Sequence, residues 1–372
     1  MPEEKFDVAI IGAGPAGATA ATMLGRKGYS IALIDRANFP RPAVCAGWVS
    51  SKIEPLLTDL GLSVNGVLDQ PFRDVAFYNA EFTKTARPRF EAPVGHLVER
   101  TRFDDALVKA AVQHGATLLA GSAVADLKLQ ESSAVITLAD RRKVTSRLIL
   151  LAAGRASELL DRLGFPRQPG TNPLWTAQVE ARLPDGVGPP DPRVAVVLGL
   201  DGGGSFGLCC VTAHRALVNV NWSGERERTL SILIELCKLA LRERVVPVDL
   251  SQAARSATVI RSPASAALDM DSHVAKHTLL IGDAGGFVSA ASNEGIYPAM
   301  WSAKLAAKAI DAALQSDVTQ DQLMMFDTLW RTQMADHLRA PHTDIRFLLP
   351  LIFQNQPMAD RMAAAFFFGE NL

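Results

Sequence analysis

The sequence predicts an α/β fold: a parallel sheet wound by helices, with a second, β-rich unit set into it. Three observations predict this. Val8–Ile11 is an unbroken apolar run, as a strand buried on both faces requires, and glycines at 12, 14 and 17 follow at once. Thr278–Ile281 repeats the pattern: a short apolar run ends in Gly282-Asp283, and a long alanine-rich helix begins near Gly295. Between them lie short strand-like runs at 174–183, 193–200, 205–212 and 216–222, separated by turn residues.

The amino-terminal element carries the most information. Gly12 serves a tight turn, Gly14 admits a pyrophosphate to the backbone, and Gly17 brings helix and strand together. The helix spans about Ala16 to Lys27, with Gly28 placed to end it. A second strand, "SIALID", ends in Asp35, where an acid accepts the ribose hydroxyls. Strand, turn, helix, strand and acid in this order predict a Rossmann-type dinucleotide site.

Two further segments belong with it. "LVERTRFDDALVKAAVQHGATL" (97–118) reads as a strand, Arg100, and an amphipathic helix with apolar residues at 103, 107 and 111; "GSAVADLKL" follows as a strand. The helix start near Gly295 offers free N–H groups and a positive dipole end, suited to a ring edge that gains negative charge on reduction. Asp283 is placed to accept a hydrogen bond from a ribityl hydroxyl.

Taken together, "GAGPAG", Asp35-Arg36, Arg100 in "VERTRFD" and Gly282-Asp283 in "LLIGDAGGFV" resemble the flavoproteins of the para-hydroxybenzoate hydroxylase fold, and within them the geranylgeranyl-reductase-like branch. The resemblance runs from Phe6 to about Ile310. It implies FAD as cofactor, contacted by Gly12, Gly14, Pro15, Ala16, Gly17, Asp35, Arg36, Cys45, Ala46, Arg100, Val124, Ala153, Gly154, Gly282, Asp283, Gly295 and Ile296. It also implies a discontinuous FAD-binding domain (1–72, 97–170 and 256–315), an inserted β-rich substrate domain (73–96 and 171–255), and a helical carboxyl-terminal region (316–372). In the inserted part, 224–244 reads as one helix and 256–261 as a strand leading back.

Composition bounds the partners. Lys+Arg 38 against Asp+Glu 39 leaves a net charge of −1, so no basic field argues for nucleic acid. Cys45, Cys209, Cys210 and Cys237 show no metal-ligand spacing, and no metal is expected. "MPEEK" is acidic and runs straight into the first strand, and "FLLPLIF" and "AAAFFF" are far shorter than the ~20 residues a membrane span needs. The expectation is a cytoplasmic protein, with peripheral membrane contact left open.

The segment "VCAGWVS" (44–50) places a thiol and an indole on one proline-bordered loop. In the reductase-like branch a cysteine in this loop passes beside the flavin, so Cys45 reads either as a proton donor or as a small pocket wall. The alternative is an ordinary buried cysteine. Trp48 reads as a stacking surface for a planar substrate or as core, and His96 as a base in the cleft or a structural histidine. Cys209 and Cys210, adjacent on a strand, point to opposite faces and read as packing. His337 and His342 read as surface residues, and Phe347, Phe353 and Phe366–Phe368 as core or as the cap of a greasy tunnel.

Three departures shape the functional expectation. Ala153 stands where hydroxylases of this fold carry an aspartate, which turns the electron donor from NAD(P)H towards a separate reductase or ferredoxin. The aromatic Tyr-x-Trp-x-Phe-Pro strand of prenyl reductases is missing, and so is the Trp-x-Trp-x-Ile-Pro motif of halogenases. The expected activity is an FAD-dependent monooxygenase, working through a flavin C4a-hydroperoxide on a bulky aromatic or apolar substrate, free or as a protein side chain. The rivals are a reductase of prenyl-type C=C bonds and a non-catalytic, FAD-stabilised assembly protein.

Overall fold

The computed structural model describes residues 4–154, 158–165, 174–341, 343 and 345–370. Its first strand, β1 (Glu4–Ile11), leads through the glycine turn into helix α1 (Pro15–Gly25), and β2 (Ile31–Ile34) returns beside β1. Helix α2 (Arg100–Gln113) feeds β3 (Ala116–Leu119), which pairs parallel to β2. On the other side of β1 lies β4 (Lys143–Leu151), also parallel. This places the chain's most apolar strands at the centre of an eight-stranded sheet, with every residue of Val8–Ile11 and Ile31–Ile34 buried.

A second sheet of seven strands is built from β5 (Trp175–Arg182), β6 (Arg193–Leu198), β7 (Phe206–Val211) and β8 (Arg215–Trp222), extended by strands at 74–79 and then 85–86 beyond β6 and at 260–261 beyond β5. The expected strand over 256–261 is thus only its last two residues, and the helix expected over 224–244 is α3 (Thr229–Arg242) after a short 3₁₀ turn. Both faces of the sheet are covered. Cys209 and Val218 face α3, whereas Cys210 and Leu217 face the carboxyl-terminal helices. All six residues of β7 are therefore buried, and the two adjacent cysteines pack into different cores, as their alternation predicts.

The chain then returns to the first sheet as β9 (Thr278–Leu280), parallel to β4, and continues into α4 (Ile296–Leu314) and α5 (Thr319–Leu338). Helices α6 (Ile345–Ile352) and α7 (Gln356–Phe368) close the second core. No helix among the described residues is long and apolar enough to cross a membrane.

Candidate active site

The carboxyl ends of β9, β4, β1 and β2 lie side by side, in that order, along one edge of the sheet. Two glycine turns meet there. At the first, Gly12 takes φ +106°, and a Cβ added to it would lie 2.2 Å from Ala152 O and 2.8 Å from Ala153 N. A Cβ on Gly17 would lie 1.8 Å from Gly12 O. Both positions are closed to any side chain. Gly14, the N-cap of α1, is different: its Cβ would meet nothing nearer than Arg41 Nη2 at 3.6 Å, so the backbone stands open there.

Asp35 holds this turn from below. One carboxylate oxygen accepts the N–H of Ala13 (2.8 Å) and the other that of Ala37 (2.9 Å), so it braces the cradle at the position expected to meet a ribose. Arg36 beside it is exposed. Arg41, which sequence reasoning passed over inside "NFPRP", leans across the open side. Its Nε is buried without a hydrogen-bond partner among the described residues, and its Nη2 is 3.7 Å from Asp104. A guanidinium with an unpartnered Nε over an open backbone fits a pyrophosphate.

The second turn, Gly282–Gly285, abuts the first: a Cβ on Gly282 (φ +58°) would touch that of Ala16 at 2.9 Å. The Ser302 hydroxyl accepts the N–H of Gly282 (3.0 Å). Gly295, the N-cap of α4, sits 3.4 Å from Asp283 Oδ1 measured from its would-be Cβ, and Ile296 opens the helix. The fold thus gathers Gly12, Gly14, Pro15, Ala16, Gly17, Asp35, Ala153, Gly154, Gly282, Asp283, Gly295 and Ile296 at one edge. Val124 stands apart, opening an antiparallel branch strand (Val124–Leu129).

Arg100 begins α2 and grips Asp104 with two hydrogen bonds of 2.8 Å; Asp104 is wholly buried. This bidentate pair overcomes the burial of the guanidinium and raises its pKa. Cys45 lies against the same guanidinium. Its backbone N–H donates to Gln178 Oε1 (2.6 Å), and Ala46 O accepts the Cys210 thiol (3.7 Å). Cys45, Arg100, Gln178 and Arg215 line a small polar pocket of about 60 Å³. Burial pushes the Cys210 thiol up to about 12, which keeps it protonated.

A second cavity is much larger, about 510 Å³. It lies between the loop 289–293 that precedes α4, the end of the second sheet (Leu198, Phe206) and the carboxyl-terminal helices (Met362, Phe366). Among the described residues Asp269 is the one charged side chain in its lining, and Cys45 is not part of that lining.

Three expectations need correction: the site readings of Trp48 and His96 and the surface reading of His337. Trp48 is 3% exposed and packs on Phe366 and Phe367 at centroid distances of 6.0 and 5.1 Å. It belongs to the core and offers no face to a substrate. His96 is equally buried, with Nε2 on Glu54 (2.8 Å) and Nδ1 on Asp69 O (3.1 Å). With both ring nitrogens engaged it acts as a brace between loops. His337 is also no surface residue: it is buried, its Nδ1 meets Phe368 O at 3.1 Å, and burial pulls its pKa down to about 4. His342 lies outside the described residues. Among the carboxyl-terminal phenylalanines, Phe366 and Phe367 are core, whereas Phe347 is 75% exposed.

Comparison with known proteins places this geometry. The family model for the FAD binding domain matches residues 5–333. Menaquinone reductase of Mycobacterium tuberculosis is 29% identical over 205 residues, 50% of each chain. Ubiquinone hydroxylase UbiL of Rhodospirillum rubrum is 30% identical over 174 residues, 44% of this chain and 40% of that one. The chain thus spans about half the length of these curated relatives. Among solved structures, a geranylgeranyl bacteriochlorophyll reductase-like protein from Thermoplasma acidophilum superposes with a TM-score of 0.74 at 17% identity, covering 98% of this chain and 96% of that one. PqsL, a probable FAD-dependent monooxygenase from Pseudomonas aeruginosa, superposes with a TM-score of 0.66 at 18% identity, covering 96% and 99%. With the two glycine turns, the open Gly14 backbone and the family match spanning both, the chain belongs to the FAD-binding domain family of flavoproteins.

Proposed function

We propose that the protein is an FAD-dependent monooxygenase acting on a bulky, largely apolar or aromatic substrate. The observation that carries this reading is the cavity of about 510 Å³ beside the helix start at Gly295, lined chiefly by small and apolar residues. FAD bound at the glycine turns would supply a two-electron carrier whose reduced form activates oxygen. The backbone N–H groups at Gly14 and the Arg41 guanidinium would bind the pyrophosphate, and the start of α4 would face the ring edge. The Phe206 and Phe366 walls would orient the substrate and exclude water while oxygen is transferred. Among the described residues Asp269 is the one acid lining that cavity, and its apolar walls suit oxygen transfer better than a reaction needing a proton delivered to a substrate carbon.

The second reading, reduction of a prenyl-type or quinone-linked C=C bond, draws on the likeness to menaquinone reductase. In it Cys45 would be the proton donor, yet Cys45 opens on the smaller pocket with Arg100. A non-catalytic role leaves the large cavity without purpose. The electron donor on either enzymatic reading is NAD(P)H or a separate reductase.

The test is a single-turnover experiment. The FAD-loaded protein is reduced without oxygen, then mixed with ¹⁸O₂ and indole, or with geranylgeraniol in the absence of oxygen. One ¹⁸O atom in an indole product is the expected result. Geranylgeraniol gaining two hydrogens, with no oxygenated indole, would overturn the monooxygenase in favour of the reductase.

A further inference from the structure

Two carboxyl side chains are fully buried among the described residues, and they are treated in opposite ways. Asp104 is held by the Arg100 guanidinium. Glu294, 5% exposed, has no cation within ion-pair distance among the described residues, Lys52 acting on it from farther off. A buried carboxyl without a counter-ion is unfavourable unless its position is used. Its place is telling: it immediately precedes Gly295, the N-cap of α4, and its Oε1 accepts the N–H of Ser50 at 2.9 Å. Ser50 ends the strand Trp48–Ser50, the continuation of the loop that carries Cys45.

We propose that Glu294 is a positioning residue for the cofactor, latching the Cys45 loop to the helix start that faces the flavin by accepting the Ser50 N–H. This rests on the reading above that the start of α4 faces the ring. The carboxyl-terminal tail backs the latch. Lys52 Nζ and His337 Nδ1 both meet the carbonyl oxygen of Phe368, at 2.6 and 3.1 Å. The ionisable groups that act on Glu294 are Lys52 after the strand and Tyr297 on α4, and Lys52 in turn faces His337 on α5 and Glu370 at the tail.

Burial raises the Glu294 pKa to about 8, outweighing the Ser50 hydrogen bond and the Lys52 charge that both act to lower it. The latch is thus a neutral acid at pH 7. Ionisation at higher pH puts an anion in a buried site that Lys52 only partly compensates, and opening the loop or tail to water relieves it. FAD binding should weaken as pH rises through about 8.

The experiment measures FAD affinity of the full chain by flavin fluorescence between pH 6 and pH 9.5. Ser50→Pro suits the φ of −59°, removes the donating N–H and the short 3₁₀ cap, and sets a ring carbon where Glu294 Oε1 sits, so it breaks the latch outright. Ser50→Ala loses the cap and keeps the N–H. The expected results are FAD binding weakened about tenfold or more in S50P and E294A and unchanged in S50A. E294Q, which keeps an acceptor and cannot ionise, should bind as wild type at pH 7 and lose the decline above pH 8. Equal affinity in all variants, or a decline retained in E294Q, overturns the latch. Gly295→Ala reports on the underlying reading, since a methyl there has room in the protein alone. Unchanged FAD affinity in G295A overturns the placement of the ring, and the latch with it; weakened affinity in G295A with none in S50P overturns the latch alone.

Discussion

The two glycine turns at the sheet edge do the same work by different means. The first, after β1, is shaped by missing atoms: Gly12 and Gly17 leave no room for a methyl group against Ala152 and against each other. The second, after β9, is shaped by side chains brought from far along the chain. Ser302 accepts the N–H of Gly282, and His273 bonds Gly285 O at 2.7 Å while packed between Phe287 and the edge-on Trp330. Asp327 then accepts from the His273 backbone, the Ser272 hydroxyl and the Trp330 indole. A turn defined by what is absent is local and brittle, whereas one defined by imported side chains can be loosened in steps.

That contrast can be broken most sharply at Gly17. Gly17→Val is expected to lose FAD binding outright and about 3 kcal/mol or more of stability, since its Cβ would sit 1.8 Å from a carbonyl oxygen. Bound flavin after purification and a denaturant midpoint check it. At the second turn the effect should be graded. Asp327→Ala leaves the His273 N–H and the Trp330 indole without an acceptor, Ser272 keeping Val274 O, and should lose about 2–4 kcal/mol.

The same residue sets a pH signature. Its hydrogen bonds, acting against burial, hold the Asp327 carboxyl down to about 2. Its contribution is therefore present above the ordinary carboxylate range and is lost as pH falls towards 2. Acid unfolding of wild type and variant should converge at low pH, and curves that stay parallel would refute this. Ser302→Ala is milder, about 1–3 kcal/mol, with FAD still bound but more weakly. Smallest of all is Cys45→Ser. On the monooxygenase reading, single-turnover oxygenation should change less than about threefold, or under 1 kcal/mol; a loss above about a hundredfold would make the thiol catalytic.

The first turn was legible because glycine spacing is a local code. Strand, turn, helix and acid are all set by residues within one βαβ unit, and Gly12, Gly17 and Asp35 stand where that code puts them. The alternation of Cys209 and Cys210 was legible for the same reason, since a strand's period alone assigns opposite faces.

Trp48 and His96 stayed open between site and core because nothing local distinguishes an aromatic that lines a pocket from one that packs under α7, or a free imidazole from one held by Glu54 and Asp69. Arg41 and Glu294 were missed because their significance is the lack or choice of a partner, and partners come from the whole fold. The sequence by itself determined the α/β class, the family and the dinucleotide cradle, which depend on short-range backbone geometry. Only the tertiary structure decided which buried groups are paired, which cavity is apolar, and on which of the two pockets Cys45 opens, because burial and electrostatics are set by neighbours distant along the chain.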